Sequence, residues 1–301
     1  MTRRVLIAGG SGLIGSRLTE LLVEQGYHIH ILSRKKRPNT KTTSYFQWDF
    51  SAMTIDSEAV DVDYIINLTG AGIADARWTE KRKELLMSSR TNAAKLILQA
   101  IQKSSSKPKA YVSASAVGFY GDRAAEVLTE SSAPGEGFMA DCCVAWENAA
   151  QSLASVVDRL VINRIGIVLS KNGGALPKIL MTKPVYTYFG DGKQYYPWIH
   201  IDDVCQIFID SMEDSSRSGI YNASAPVSLP NKEFTNQIKA ALGGIASVPA
   251  PVFALRLAMG QMANVVLNSN NVVPQRLQAA GYQWQFADLG DAVKDIMDRK
   301  V

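Results

Sequence analysis

The sequence predicts an α/β protein: a doubly wound parallel sheet followed by a smaller, mainly helical C-terminal region. Short β-branched runs alternate with longer amphipathic stretches through the first half, which is the rhythm of βαβ units and not of an all-α or all-β fold. Beyond Ile167 that rhythm loosens into Gly173-Gly174, Pro177, Pro184 and an aromatic segment from Tyr186 to Trp198. From Pro230 onward, helical patterns are punctuated by Gly243-Gly244, Pro249, Pro251 and Pro274.

Taken in order, a strand is expected near Val5 to Ala8, then a helix from Ile14 to Gln25 that Gly26 ends. Strands near His28 to Leu32, Tyr45 to Trp48 and Tyr64 to Leu68 lead to a helix from Glu80 to Gln102. A strand near Ala110 to Ser113, a helix from Phe138 to Val157 and a strand near Leu160 to Ile165 complete the main sheet. A helix from Asp202 to Glu213, started by Asp202 or Asp203, and a short strand from Gly219 to Asn222 can return to it. The expected division is residues 1–168 as the larger domain and 169–301 as the smaller, with about 198–222 returning to the larger.

With 301 residues, 47% of them apolar, the chain can bury a substantial core. Its net charge is only +4 and its basic residues are scattered apart from one cluster, so no nucleic-acid partner is expected. No apolar run approaches the roughly 20 residues that span a bilayer, and the N-terminus enters a strand with no secretory leader pattern. Neither membrane insertion nor export is expected, and the reading is of a cytoplasmic protein. Cys142, Cys143 and Cys205 are odd in number and lack metal-ligand spacing, so neither a disulfide framework nor a metal site is expected.

Gly9, Gly12 and Gly15 form Gly-x-x-Gly-x-x-Gly between the first strand and the first helix. Glycines there permit a tight turn, close approach of backbone N–H groups to a pyrophosphate, and close helix-strand packing. The helix start, Ser11 to Gly15 with Leu13 and Ile14, adds partial positive charge where phosphates would sit. This is a Rossmann-like dinucleotide turn. Between Gln25 and Trp48 there is no Asp or Glu, yet Arg34, Lys35, Lys36 and Arg37 follow the second strand. An acid at that place holds a free ribose 2′-hydroxyl, whereas an arginine accommodates a 2′-phosphate. The expected cofactor is therefore NADP(H), with Arg34 as the main 2′-phosphate ligand, because guanidinium matches phosphate with paired donors, and Ser33 as an added hydroxyl.

The glycine turn, Asn67-Leu68-Thr69-Gly70-Ala71-Gly72 and Val112 to Gly121 resemble the extended short-chain dehydrogenase/reductase superfamily. More narrowly, Tyr120-Gly121-Asp122, Asp141 to Glu147, Gly173 to Leu176, Trp198 to Asp203 and a C-terminal segment holding Pro249 to Met262, Val272 to Leu277 and Gly281 to Trp284 resemble its atypical branch of epimerase family proteins, the 39U type, which a domain of unknown function closes. The resemblance runs nearly end to end. It implies a cofactor on the larger domain and an unidentified small-molecule substrate beneath the smaller one. It also implies that Asp49 contacts adenine, that Asn67, Leu68, Gly70 and Ala71 line the cofactor, that Ser115 matches the serine after the fifth strand, and that Arg164 and Val168 lie beside the nicotinamide. For Asp49 an ordinary turn acid after a strand is the competing reading.

Active members of that superfamily usually carry a tyrosine with a lysine four residues on, and no tyrosine of this chain has one. Aligned on Glu147, the two places hold Met139 and Cys143, and Arg90 falls about where many members have a structural asparagine. Neither Met139 nor Cys143 can do that acid-base work. Ser115 with Tyr120 is the first candidate proton source, against a packing role for Tyr120. Cys143 reads as a small buried hydrophobe before a redox thiol, and His200 as a junction residue. The functional expectation is an oxidoreductase-like NADP(H) protein acting on a small carbonyl, hydroxyl or sugar-like compound. A cofactor-binding sensor without turnover and a nucleotide-sugar epimerase or dehydratase are the alternatives, as monomer or homodimer.

Overall fold

The computed structural model describes residues 2–105 and 107–299. The first half holds β1 (Arg4–Ala8), α1 (Leu13–Glu24), β2 (His28–Ser33), β3 (Thr43–Asp49), β4 (Thr54–Ile55), β5 (Tyr64–Asn67), α2 (Glu80–Lys103), β6 (Ala110–Ala116), β7 (Val127–Leu128) and α3 (Phe138–Gln151). Then come β8 (Leu160–Ile165), β9 (Ile167–Ser170), β10 (Gly173–Gly174), α4 (Ala175–Leu180), β11 (Val185–Phe189), β12 (Tyr195–Tyr196), β13 (Trp198–His200), α5 (Ile201–Glu213) and β14 (Gly219–Ala223). The C-terminal part adds β15 (Leu229–Pro230), α6 (Asn231–Leu242), β16 (Ala246–Ala250), α7 (Val252–Met259), α8 (Asn264–Leu267), β17 (Asn271–Val272), α9 (Gln275–Ala279) and α10 (Leu289–Asp298).

Eight strands form the main sheet in the order β14-β8-β6-β5-β1-β2-β3-β4, all parallel except the antiparallel edge pair β3-β4. Side-chain alternation along β1 explains its central place. Val5 and Ile7 enter the core beside Leu18 and Leu22 of α1 and Val204 to Met212 of α5. Leu6 and Ala8 enter the opposite core beside α2 and α3, so the strand is buried on both faces as a doubly wound sheet requires. Because the strand order reverses at β1, a crevice opens at its C-terminal end between the β1-α1 and β5-α2 connections.

Two expectations need correction in detail. The third helix ends at Gln151, not Val157, and continues as tight turns in which Leu153 N–H bonds to Ala150 and Val156 N–H to Leu153. Leu153 and Val157 remain buried, which is why the apolar spacing reads as a longer helix. The start of α5 is capped by His200, whose Nδ1 accepts from Asp202 N–H at 3.1 Å, and neither aspartate is the cap. Both acids are used elsewhere. Asp203 accepts from Gln285 N–H (2.8 Å) and Phe286 N–H (3.0 Å), tying the C-terminal segment to α5.

The smaller region contains more strand than the sequence suggests. β10-β9-β13 form one small sheet, and β11-β16, β12-β15 and β17-β7 form pairs. Its core gathers Tyr186, Tyr196, Trp198, Phe234, Ile238, Leu289 and Val293. α7 lies outside that core, with Phe253 75% and Leu257 78% exposed. Its last turn is held by Arg77, which donates to the carbonyls of Leu257 (2.7 Å) and Ala258 (2.8 Å); a cation at a helix C-terminus is favourable.

Asp202 joins the first helix to the last. Arg17 donates to both its oxygens (2.8 and 3.2 Å), and Arg299 approaches to 2.7 Å. Burial alone would raise the Asp202 pKa, but the two arginines override it and hold it at about 2. Next to it, His200 is fully buried against the Phe286 ring, with Asp295 at 3.2 Å; burial, then Arg299, lower its pKa from 6.5 to about 4 against the opposing pull of Asp202 and Asp295. The signs follow. A lowered histidine keeps its stabilising effect above pH 6.5 and loses it as pH falls through about 4, whereas Asp202 contributes above its ordinary 3.8 and loses about 2 kcal/mol as pH falls through about 2. Urea midpoints should therefore decline first between pH 6.5 and 4, and His200→Asn, which can keep the cap, should flatten that decline. An unchanged slope in the variant would remove His200 from the account.

Candidate functional site

The glycine turn is built so that no side chain fits. A Cβ on Gly15 would stand 2.3 Å from Gly9 O and 2.7 Å from Gly10 Cα, and one on Gly9 (φ +87°) would stand 2.9 Å from the Leu68 carbonyl carbon. The turn is closed by Gly12 N–H bonding to Gly9 O at 3.0 Å, and Ser16 N–H bonds back to Gly12 O. α1 then begins with Leu13 and Ile14, with no side-chain cap and no acid in its first turn. An uncapped helix start flanked by glycine is suited to an anion.

Beside it, a pocket of about 440 Å³ lies between α1 and the ends of β2 and β3, lined by Ser11, Ser16, Ile31, Ser33, Arg37 and Tyr45 among others. Register places Tyr45 next to Ile31 across the strands, and the Arg37 guanidinium carbon is 5.8 Å from the Tyr45 ring centre. Ser33 is present as expected, although its hydroxyl already bonds to Lys35 O (2.7 Å) and accepts from Lys35 N–H. Arg34 is exposed and does not line this pocket. The cation that does is Arg37, and the legible signals for it were Pro38, which restrains the loop, and Tyr45. A second cleft of about 770 Å³ lies along Leu13, Arg17 and Glu20 of α1, facing Lys171 and Arg299.

Asp49 sits at the end of β3, where its Oδ1 accepts from Ser51 N–H (2.7 Å) and Ala52 N–H (3.1 Å). That is the turn-acid reading. Asn67 is fully buried, donating to Tyr111 Oη at 2.8 Å and accepting from Thr69 N–H at 3.1 Å. Its amide thus shapes the β5-α2 connection that carries Leu68, Gly70 and Ala71. Gly70 faces the Arg90 guanidinium, which a Cβ would meet at 2.9 Å. Ala71 N–H bonds to Ser89 Oγ (3.0 Å), and Ala71 O accepts from Arg90 (3.2 Å).

Ser115 and Tyr120 lie in a closed buried network, not at an open cleft edge. Ser115 Oγ donates to Glu147 Oε1 at 2.7 Å, and Arg164 grips both Glu147 oxygens, at 2.8 and 2.9 Å. Arg164 also donates to Tyr120 Oη (3.0 Å), and Tyr120 donates to Asn222 Oδ1 (2.6 Å). Neither Tyr120 nor Asn222 has exposed surface, and Ser115 and Arg164 are almost as buried. Burial raises the Tyr120 pKa despite the opposing pull of Arg164, opposite to what an active-site lysine does for its tyrosine. The geometry assigns both hydroxyls framework bonds, and Arg164 is a buried ion-pair partner. Asn222 is the member that sequence reasoning missed, and Glu147 was read only as a family landmark; a carboxylate on the mostly apolar α3 was the available signal.

Val168 lies on β9, and a Cβ on Gly174 would stand 3.0 Å from its carbonyl oxygen, while one on Gly173 or Gly174 would stand 3.4 Å from the Leu13 side chain. The β9-β10 turn therefore leans on the start of α1. Met139 and Cys143 share one helix face toward Gly118, where a Cβ would meet Met139 Cε at 2.8 Å and Cys143 Sγ at 3.7 Å. Burial pushes the Cys143 thiol up to about 12, which keeps it protonated and unreactive. Among the described residues there is no group of His, Cys, Asp or Glu that could hold a metal ion, and no helix long and apolar enough to cross a membrane.

Residues 5–224 match the family model described as the NAD dependent epimerase/dehydratase family, and residues 250–296 match a domain of unknown function, DUF1731. Epimerase family protein SSP1921 of Staphylococcus saprophyticus is 34% identical over 98% of this chain and 99% of that protein. Epimerase family protein YfhF of Bacillus subtilis is 33% identical over 98% and 99%. Among solved structures, human epimerase family protein SDR39U1 with NADPH is similar at TM-score 0.88 and 32% identity, covering 99% of this chain and all of that one. The nucleoside-diphosphate sugar epimerase of Corynebacterium glutamicum gives 0.77 and 30%, covering 97% of this chain and 57% of that one. Matched over residues 5–224 and 250–296 and to relatives along nearly its whole length, the chain belongs to the NAD dependent epimerase/dehydratase family, with a C-terminal DUF1731 segment.

Proposed function

We propose that the chain binds NADP(H) and acts as an oxidoreductase on a small carbonyl, hydroxyl or sugar-like compound. The observation that carries the cofactor choice is the acid-free pocket joining the uncapped start of α1 to Ser33, Arg37 and Tyr45. The fit is good on three counts: glycines that leave room for a pyrophosphate, helix amides to receive it, and a cation beside an aromatic face for a phosphorylated adenosine. The NADPH in the human relative's structure is in keeping with this. When bound, the cofactor would supply hydride transfer. Gly9, Ser11, Gly12 and Gly15 receive the phosphates, Leu13 and Ile14 offer backbone N–H groups, Arg37 with Ser33 holds the 2′-phosphate, and Leu68, Gly70, Ala71 and Val168 border the path toward the nicotinamide.

Arg37→Ala should weaken NADPH binding by about 1.5–3 kcal/mol, the range for hydrogen bonds to charged groups, and leave NADH binding nearly unchanged. Arg34→Ala should have the smaller effect. Equal losses for both cofactors in Arg37→Ala would overturn the 2′-phosphate assignment.

A second reading, a cofactor-binding module without turnover, is favoured by one arrangement: the hydroxyls of Ser115 and Tyr120 are already bonded, and Met139 and Cys143 stand where an acid and a cation would work. An epimerase or dehydratase needs proton movement at the sugar too and meets the same obstacle. Transfer of deuterium from C4-labelled NADPH into a metabolite of a cell extract supports the oxidoreductase. Absence of any transfer, together with NADPH-dependent association with another protein, supports the module.

A further inference from the structure

Seven of the eleven exposed large apolar side chains among the described residues fall within 181–185 and 245–257, so they are gathered on one part of the smaller region and not scattered singly. Pairing explains how they meet. Ile245 N–H bonds to Pro184 O at 2.9 Å, which sets Ile245 (80% exposed) beside the turn that carries Met181 (83% exposed). β11 and β16 then run parallel for five residues, about 15 Å, as far as Gly190, where a Cβ would meet the Val252 side chain at 3.0 Å. Helix α7, with Phe253 and Leu257, begins there.

The strand pair has one covered face and one open face. Tyr186 is fully buried and its partner Ser247 donates to Asn236 of α6 at 2.7 Å, so the alternate residues Val185 and Val248, both exposed, point the other way. α7 buries no residue, and Arg77 holds its last turn, so its apolar side chains are presented outward. Charge completes the pattern. No Asp or Glu occurs between Asp158 and Asp191 or between Glu233 and Asp288. In the same stretches Lys178, Lys183 and Arg256 are exposed, and Asp191, which follows Gly190, is paired with Lys193 at 3.5 Å.

We propose that this face docks on an anionic phospholipid surface: Met181, Ile245, Phe253 and Leu257 enter the interface, while Lys178, Lys183 and Arg256 meet the headgroups. The contact is peripheral, since no helix among the described residues is long and apolar enough to cross a bilayer. Side chains that project from both ends of a strand pair suit a layered, deformable surface, which asks for no matching shape, and neither cavity described above includes any of them. A second copy fits less well, because an isologous contact would set the same unopposed cations against one another. The proposal is independent of the cofactor reading.

Flotation with phosphatidylcholine vesicles containing about 30% phosphatidylglycerol, compared with pure phosphatidylcholine vesicles, tests it. Wild-type protein should bind the mixed vesicles at least about tenfold more tightly than the neutral ones, and be released as salt is raised toward about 1 M. Phe253→Ser with Leu257→Ser should weaken binding about tenfold or more with the urea midpoint kept, and so should Lys178→Gln with Arg256→Gln. If the first pair does not fold, Met181→Ser with Ile245→Ser takes its place and the same loss is expected. Wild-type protein that binds neither vesicle, binds both equally, or binds no more tightly than the variants overturns the proposal. A wild-type dimer in sedimentation velocity that Leu257→Asp separates would give the face to a second copy and overturn it too. Retention on immobilised polyglutamate without vesicle binding would assign the face to an acidic polypeptide, again against the proposal.

Discussion

Glu147→Gln should lower the stability by about 3–5 kcal/mol, the cost of breaking a buried ion pair by removing one partner. Arg164 is 2% exposed and meets the carboxylate through both Nε and Nη2, so the variant strands a guanidinium where water cannot replace the lost charge. Ser115 loses a charged acceptor at the same time. A drop in the urea midpoint with the slope unchanged checks the effect. Replacing both partners with apolar residues should cost less than the sum of the two single changes, because neither charge is then left alone. A single-variant loss under about 1 kcal/mol would mean that the network carries little of the folding energy. Tyr120→Phe removes two bonds of that network, the one given to Asn222 and the one received from the charged Arg164, so about 2 kcal/mol or more is expected, with NADPH affinity retained.

The second large effect is expected at Gly15. A methyl group there must displace Gly9 O and Gly10 Cα, both backbone atoms, so the turn itself has to open. Overpacking of this kind typically costs 1–3 kcal/mol, and the displaced N–H groups are those that would meet the pyrophosphate. Gly15→Ala should therefore lose about 1 kcal/mol or more of stability and weaken NADPH by about tenfold or more. Gly26→Ala serves as a control. Gly26 has φ +83° but open space around it, so it should lose stability from backbone strain alone and keep its cofactor affinity. Retained affinity in Gly15→Ala would separate the glycine turn from binding.

The centre of the sheet was legible because its inner strands are buried on both faces and so read as short apolar runs, as in Val5 to Ala8 and Leu160 to Ile165. The small strands were not. β11 and β16 pair residues 61 apart in sequence, as in Val185 with Ala246, and β16 contains Pro249; neither has a local periodicity to reveal a partner that only tertiary contact supplies. The glycine turn could be placed from sequence because its glycines answer to a local steric demand. The choice among Arg34 to Arg37 could not, since a four-residue basic run says nothing about which side chain the loop directs toward Tyr45. Ser115 and Tyr120 were read from their place after the fifth strand, and only the three-dimensional closeness of Glu147, Arg164 and Asn222 explains where their hydroxyls go. His200 as a helix cap was likewise hidden, because Asp202 and Asp203 are the more usual caps and both are taken by longer-range partners.

Calorimetric titration of the wild-type protein with NADPH and, separately, with NADH tests the central claim most directly. The account predicts that NADPH binds at least about tenfold more tightly, with the difference falling sharply in Arg37→Ala. Binding of neither cofactor, or tighter binding of NADH, would contradict it.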